Sequence, residues 1–77
     1  INIYPNPTSG KINIQMDEIQ TDKLEIKLSN ISGQLVFRKT RDFATNFEID
    51  INGSAGIYFL EIITDNDKKF IRRIIKK

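Results

Sequence analysis

The chain has 77 residues, 39% of them apolar and 29% charged, with a formal net charge of +2 and neither cysteine nor histidine. That length predicts one small domain that buries only about 60% of its unfolded surface and has no room for a deep catalytic cleft. Without cysteine there is no disulfide or thiolate site; without histidine the usual general base and commonest metal ligand are missing, so neither an enzyme nor a cofactor or metal site is expected.

Fifteen isoleucines against four leucines and one valine make the apolar content strongly β-branched, which suits a pleated, half-buried surface and predicts an all-β class. No window approaches the roughly 20 apolar residues of a membrane-spanning helix, and no basic-then-apolar N-terminal signal is present. Because the sequence opens on Ile1, we expect a piece of a longer protein. Charge is unevenly spread. Residues 1–67 hold six basic and ten acidic side chains, 6 − 10 = −4, whereas residues 68–77 add six positive charges and no negative one.

In chain order, Ile1 and Ile3 alternate with Asn2 as a short strand that ends at Tyr4-Pro5-Asn6-Pro7-Thr8-Ser9-Gly10. Two prolines fix φ and remove backbone donors, so this segment cannot sit inside a sheet ladder and reads as a turn or a cap over the core edge. Ile12, Ile14 and Met16 then alternate with polar residues, the period-2 pattern of a strand with one wet face. Residues 17–23, polar except Ile19, read as a loop. Leu24, Ile26 and Leu28 mark a third strand, and Asn30-Ile31-Ser32-Gly33 a hairpin turn. The partner strand spans 34–41 with Leu35 and Phe37 inward and Val36 on the other side. After a connection over 42–46, anchored by Phe43, Phe47, Ile49 and Ile51 alternate as a fifth strand. Asn52-Gly53-Ser54-Ala55-Gly56 is too long for a two-residue hairpin and predicts a loop crossing between sheets.

Residues 56–63, Gly-Ile-Tyr-Phe-Leu-Glu-Ile-Ile, are apolar on both parities, which predicts a central strand covered on both faces with Tyr58, Leu60 and Ile62 in the core. Asp65-Asn66-Asp67 closes it with turn chemistry. In the tail, Phe70, Ile71, Ile74 and Ile75 fall within a helical arc of about 140° at about 100° per residue, with cations around the rest. Against a helix, the central strand needs a neighbour and the preceding turn sends the chain back antiparallel. The tail is therefore read as a strand, with a bulge letting paired apolar residues share a face. Seven short strands with frequent turns predict two packed sheets, a small immunoglobulin-like β-sandwich.

The chemical candidates are weak. Asp65-Asn66-Asp67 begins like a calcium loop, but such a loop needs about twelve residues and a closing glutamate, and Lys68-Lys69 follows. The serines have no histidine to activate them. A carboxylate pair for glycoside hydrolysis needs a substrate groove this chain has little surface to build. The two Asn-x-Ser matches are common in turn-rich chains. For the basic tail, nucleic acid is not expected, since only Phe70 could stack and no recognition motif accompanies the charges. Three readings stay open: a surface-lying amphipathic segment on anionic lipid, a terminal strand whose edge and charge are read by a receptor, and plain protection of an edge strand.

Four motifs in order carry a resemblance: Tyr4-Pro5-Asn6-Pro7-Thr8-Ser9-Gly10, Ile31-Ser32-Gly33-Gln34-Leu35-Val36, Gly56-Ile57-Tyr58-Phe59-Leu60 and the Lys/Arg-rich end. Together they resemble the C-terminal sorting domain of type IX secretion system cargo in Bacteroidetes, the Por secretion tail of type A. The resemblance covers the whole chain. It implies an immunoglobulin-like sandwich, attached to an upstream cargo, that is recognised in the periplasm and directs that cargo through the outer membrane. A sortase then removes it, and the cargo is released or anchored at the cell surface. Its partners would be the secretion machinery and the sortase, with no direct membrane span. Recognition is expected at Tyr4, Pro5, Asn6, Pro7, Gly10, Gly33, Gly56 and Tyr58 of the motifs and at Arg72, Arg73, Lys76 and Lys77 of the basic end. The alternative is an accessory sandwich of a secreted enzyme, a spacer or carbohydrate-binding module, although such binders expose aromatics and tryptophan is absent here.

Overall fold

Strand-forming stretches separated by turn chemistry fold into seven antiparallel strands among the described residues, 1–17 and 20–77 of the computed structural model. They are β1 (Asn2–Tyr4), β2 (Lys11–Gln15), β3 (Lys23–Asn30), β4 (Leu35–Asp42), β5 (Asn46–Asp50), β6 (Gly56–Thr64) and β7 (Lys69–Lys76). One sheet has the order β1-β2-β5, the other β4-β3-β6-β7. The predicted loop over 17–23 yields Lys23 to β3, and its Glu18 and Ile19 lie outside the described residues.

The core is the set of inward positions. Ile12 and Ile14 of β2, followed by Met16, and Phe47 of β5, followed by Ile51, face Leu24, Ile26 and Leu28 of β3, Tyr58, Leu60 and Ile62 of β6 and Ile74 of β7. Phe37, Phe43 and Phe70 pack against its rim. The 52–55 loop does cross between sheets, since β5 and β6 belong to different ones. The tail is a strand, as its context predicts.

Three expectations need correction. β6 is central in the hydrogen-bond ladder, yet only one of its faces is covered: Phe59 is 39% exposed, because no layer packs on the outside of the four-stranded sheet. Leu35 does not face inward. The β3–β4 register slips between Leu28 and Ser29, where Phe37 pairs with Leu28 and Leu35 with Ser29, and this bulge turns Leu35 outward to 55% exposure. The tail, by contrast, has no bulge. Its pairing with β6 runs unbroken from Gly56–Lys76 to Ile63–Lys69, so Phe70 and Ile74 point in while Ile71 and Ile75 point out.

Candidate functional site

β7 is an edge strand, and strict alternation of antiparallel hydrogen bonding leaves the N–H and C=O groups of its odd-numbered residues pointing away from β6. The Tyr4–Gly10 segment runs along that edge as a strap. A proline-bearing chain cannot offer a regular ladder, so a side chain substitutes for a peptide group. The Asn6 amide donates through Nδ2 to the Arg73 carbonyl at 2.8 Å and accepts through Oδ1 from the Ile75 N–H at 2.9 Å. Two residues further on, the main chain takes over. Thr8 N–H donates to the Ile75 carbonyl and Lys77 N–H to the Thr8 carbonyl, both at 2.8 Å, in a parallel bridge to Lys76.

Thr8 is itself fully buried, and its hydroxyl donates to the Lys11 carbonyl at 2.7 Å while accepting from Gly10 N–H at 3.0 Å. The Gly10 carbonyl then accepts from Ile51 N–H at 2.7 Å, tying the strap to the three-stranded sheet beyond β5. Pro5 and Pro7, both preceded by cis peptide bonds, and Tyr4 lie on the solvent side of this strap. The expectation of an open edge on the terminal strand is therefore corrected for its second half, which Asn6 and Thr8 cover. Lys69 and Ile71 stay uncovered.

The basic residues do not form one patch. Parity sends Arg73 to the outer face beside Phe59, whereas Arg72 and Lys76 share the inward parity with Ile74 and surface at the rim of the sandwich. Lys76 reaches across the rim, donating through Nζ to the Gly53 carbonyl at 2.8 Å. Lys77 enters the strap through its backbone. None of the four lies within ion-pair distance of a carboxylate among the described residues. The rest of the outer face is different: Arg38 pairs with Glu25, Lys27 with both Glu25 and Glu61, and Lys69 with Glu61, at 3.5–3.8 Å, a ladder across all four strands.

The remaining motif residues lie apart from the strap and support the frame. Tyr58 is buried and donates through its hydroxyl to the Ser54 carbonyl at 2.7 Å, fixing the 52–55 loop. Gly53, absent from the predicted set, makes room for it: a Cβ there would stand 2.8 Å from the tyrosine oxygen, at a φ of +150°. Gly33, at φ +86°, completes the β3–β4 turn, where the Asn30 carboxamide oxygen accepts from the Ser32 and Gln34 N–H groups. Gly56 opens β6. Thr8 was also missed, although a threonine two residues before a glycine carries the signal of a hydroxyl-closed turn.

At the opposite end of the sandwich, Asp65 bridges two loops. The backbone N–H groups of Asp22 and Lys23 donate to its carboxylate at 2.8 and 3.1 Å and hold its pKa below the usual carboxylate range. On the open side between β4 and β5, a 590 Å³ groove is floored by Ile26, Phe37 and Phe47. Its aromatic rings are covered by cations from the same chain: Lys39 Nζ lies 5.1 Å from the Phe37 centroid and Arg41 Cζ 4.3 Å from that of Phe47. Inward-pointing charges of this kind blunt an edge strand.

A protein-family model described as a secretion system C-terminal sorting domain matches residues 2–77. The ulvan lyase NLR42 of Nonlabens ulvanivorans is 28% identical over 76 residues, which take in 97% of this chain and 14% of that enzyme. The chain thus spans about 14% of the length of the curated relative it matches.

Proposed function

Because the chain belongs to the secretion system C-terminal sorting domain family, we propose that it is the address of a larger secreted protein, read by the type IX machinery. In this reading the cargo lies upstream, passes through the periplasm and crosses the outer membrane. A sortase then removes the domain, leaving the cargo secreted or at the cell surface. The match to a small fraction of a ulvan lyase supports a domain appended to a larger chain. The domain's own role is non-catalytic.

The observation that carries the reading is the strap. The two motif segments furthest apart in sequence, residues 4–10 and 72–77, meet along one edge through Asn6 and Thr8, which supports a signal read as a surface of the folded unit. Fusing residues 1–77 behind a periplasmic reporter, in a host with a working type IX system, should place the reporter outside the cell. Replacing Arg72, Arg73, Lys76 and Lys77 by Gln should weaken export while the domain still melts cooperatively. Deleting residues 74–77 cannot make that distinction, because it removes the fully buried Ile74 along with the strap's partners. A reporter that stays in the periplasm with the unaltered domain attached would refute the assignment.

One feature favours the accessory-module alternative. Tyr4, 51% exposed, lies opposite Asn13 on the outer face of the three-stranded sheet, with Asn46 and Glu48 beside it, an aromatic among groups that hydrogen-bond sugar hydroxyls. Saturable binding of a polysaccharide that is lost in Tyr4→Ala would support that module; a flat isotherm would dismiss it.

A further inference from the structure

We propose that the outer face of β6 and β7 is the docking surface for a protein of the export machinery that presents a carboxylate set among apolar side chains. The inference rests on the sorting reading and adds to it a surface and the chemistry of its partner. On β6 the outward residues are Ile57, Phe59, Glu61 and Ile63; across the ladder from them stand Ile75, Arg73, Ile71 and Lys69. The uncovered face of an antiparallel sheet is ordinarily polar. Here it divides in two.

Around Glu61 the charges are paired, since Lys27 and Lys69 both lie within ion-pair distance of it. Ile71 stands directly opposite Glu61 and is 54% exposed; beyond it come Ile57, Phe59 and Ile75, of which Phe59 and Ile75 are also open to solvent. Ile57 and Ile75 are directly opposed and Phe59 stands diagonal to both Ile71 and Ile75, a separation long and aromatic side chains span, so these form one patch around Arg73 rather than scattered apolar groups. In its middle stands Arg73, opposite Phe59 and without a carboxylate within 4.0 Å among the described residues.

An unpaired guanidinium ringed by apolar side chains is complementary to a carboxylate, which it binds with two parallel hydrogen bonds, and aromatic and Arg side chains are the residues that dominate interface energetics. An anionic membrane fits this face less well. The cations of this face, Arg38, Lys27 and Lys69, are engaged by Glu25 and Glu61, which leaves one guanidinium among apolar side chains instead of the broad cationic face that an anionic bilayer favours. The strap covers the second half of the β7 edge but leaves the Arg73 side chain free, so the partner meets the face and not the edge.

The reporter fusion tests this with single substitutions. Arg73→Glu and Ile71→Asn should each cut export about tenfold or more, as expected when a partnered charge or central apolar contact is lost at an interface. Both should keep the melting midpoint of the 77-residue chain within about 4 °C, because substitutions on an uncovered surface change stability little. Arg73→Lys should retain more export than Arg73→Glu, and Lys68→Glu, in the β6–β7 turn, should export normally. Failure of the unaltered fusion to leave the cell overturns the sorting reading and this surface with it. Wild-type export of both Arg73→Glu and Ile71→Asn overturns the surface alone. Two further results would also overturn it: flotation of the chain with phosphatidylglycerol–phosphatidylethanolamine vesicles that Arg73→Glu abolishes, and a dimer in sedimentation that Ile71→Asn abolishes.

Discussion

Asn6 works as a portable peptide group. Its carboxamide offers one donor and one acceptor at the spacing of a main-chain unit, at a point in the chain where flanking prolines leave no regular ladder to extend. Asn6→Ala returns the Arg73 carbonyl and Ile75 N–H to water, with a net loss of about 1–2 kcal/mol for two hydrogen bonds. The melting midpoint should fall by about 4–8 °C per kcal/mol, and amide exchange at Ile75 should quicken while Lys77 N–H, held by Thr8, stays protected. Asn6→Asp should be no better, since it keeps the acceptor but turns a lone pair toward the Arg73 carbonyl. Asp65 makes a second residue-level test. Its pKa is depressed by N–H groups that favour the carboxylate, so its contribution is complete above the unfolded value of about 3.9 and is lost as pH falls through the lower folded value. Asp65→Asn should therefore lower the midpoint at pH 7 and flatten the loss of stability seen in acid titrations followed by circular dichroism.

At the scale of elements, β6 and β7 each present two faces with different duties. Leu60, buried against both sheets, should cost about 2–5 kcal/mol as Ala, whereas Phe59 next to it in sequence should cost far less as Thr; chemical denaturation of the two variants measures the contrast. An equal loss for both would mean that the outer face is covered. Strand identity was legible throughout, because period-2 alternation in 12–16, 24–28 and 47–51 is dictated by a single buried face. The tail was legible only through its context: Phe70, Ile71, Ile74 and Ile75 obey a helical period, and pairing with β6 overrides it. Burial on the outer face was not legible, since Phe59 and Leu35 carry no mark of whether a further layer covers them, and a one-residue slip at Ser29 reverses Leu35. Nor could the strap be read as a contact, because Asn6 and Ile75 are 69 positions apart and neither has a motif that names the other.

The whole molecule is closed by its last strand. Ile74 fills the core between the sheets, and Ile75 and Lys77 hold the strap that begins before residue 10, so the first and last segments stabilise one another. A chain ending at Arg73 should show no cooperative melt and poor amide dispersion in NMR, while Lys76→Gln and Lys77→Gln should stay within about 0.5 kcal/mol of the parent. Most pairing up to β6 can form earlier, since β3 already has β4 on one side and β6 on the other. The edge clamp cannot. It requires residues 73–77 to have left the ribosome, so the folded surface exists only on polypeptides whose synthesis has run through Lys77. Polypeptides cut short of residue 73 carry every upstream residue of the domain and still lack the finished edge, so the clamp is the last contact to form and needs both ends of the domain at once.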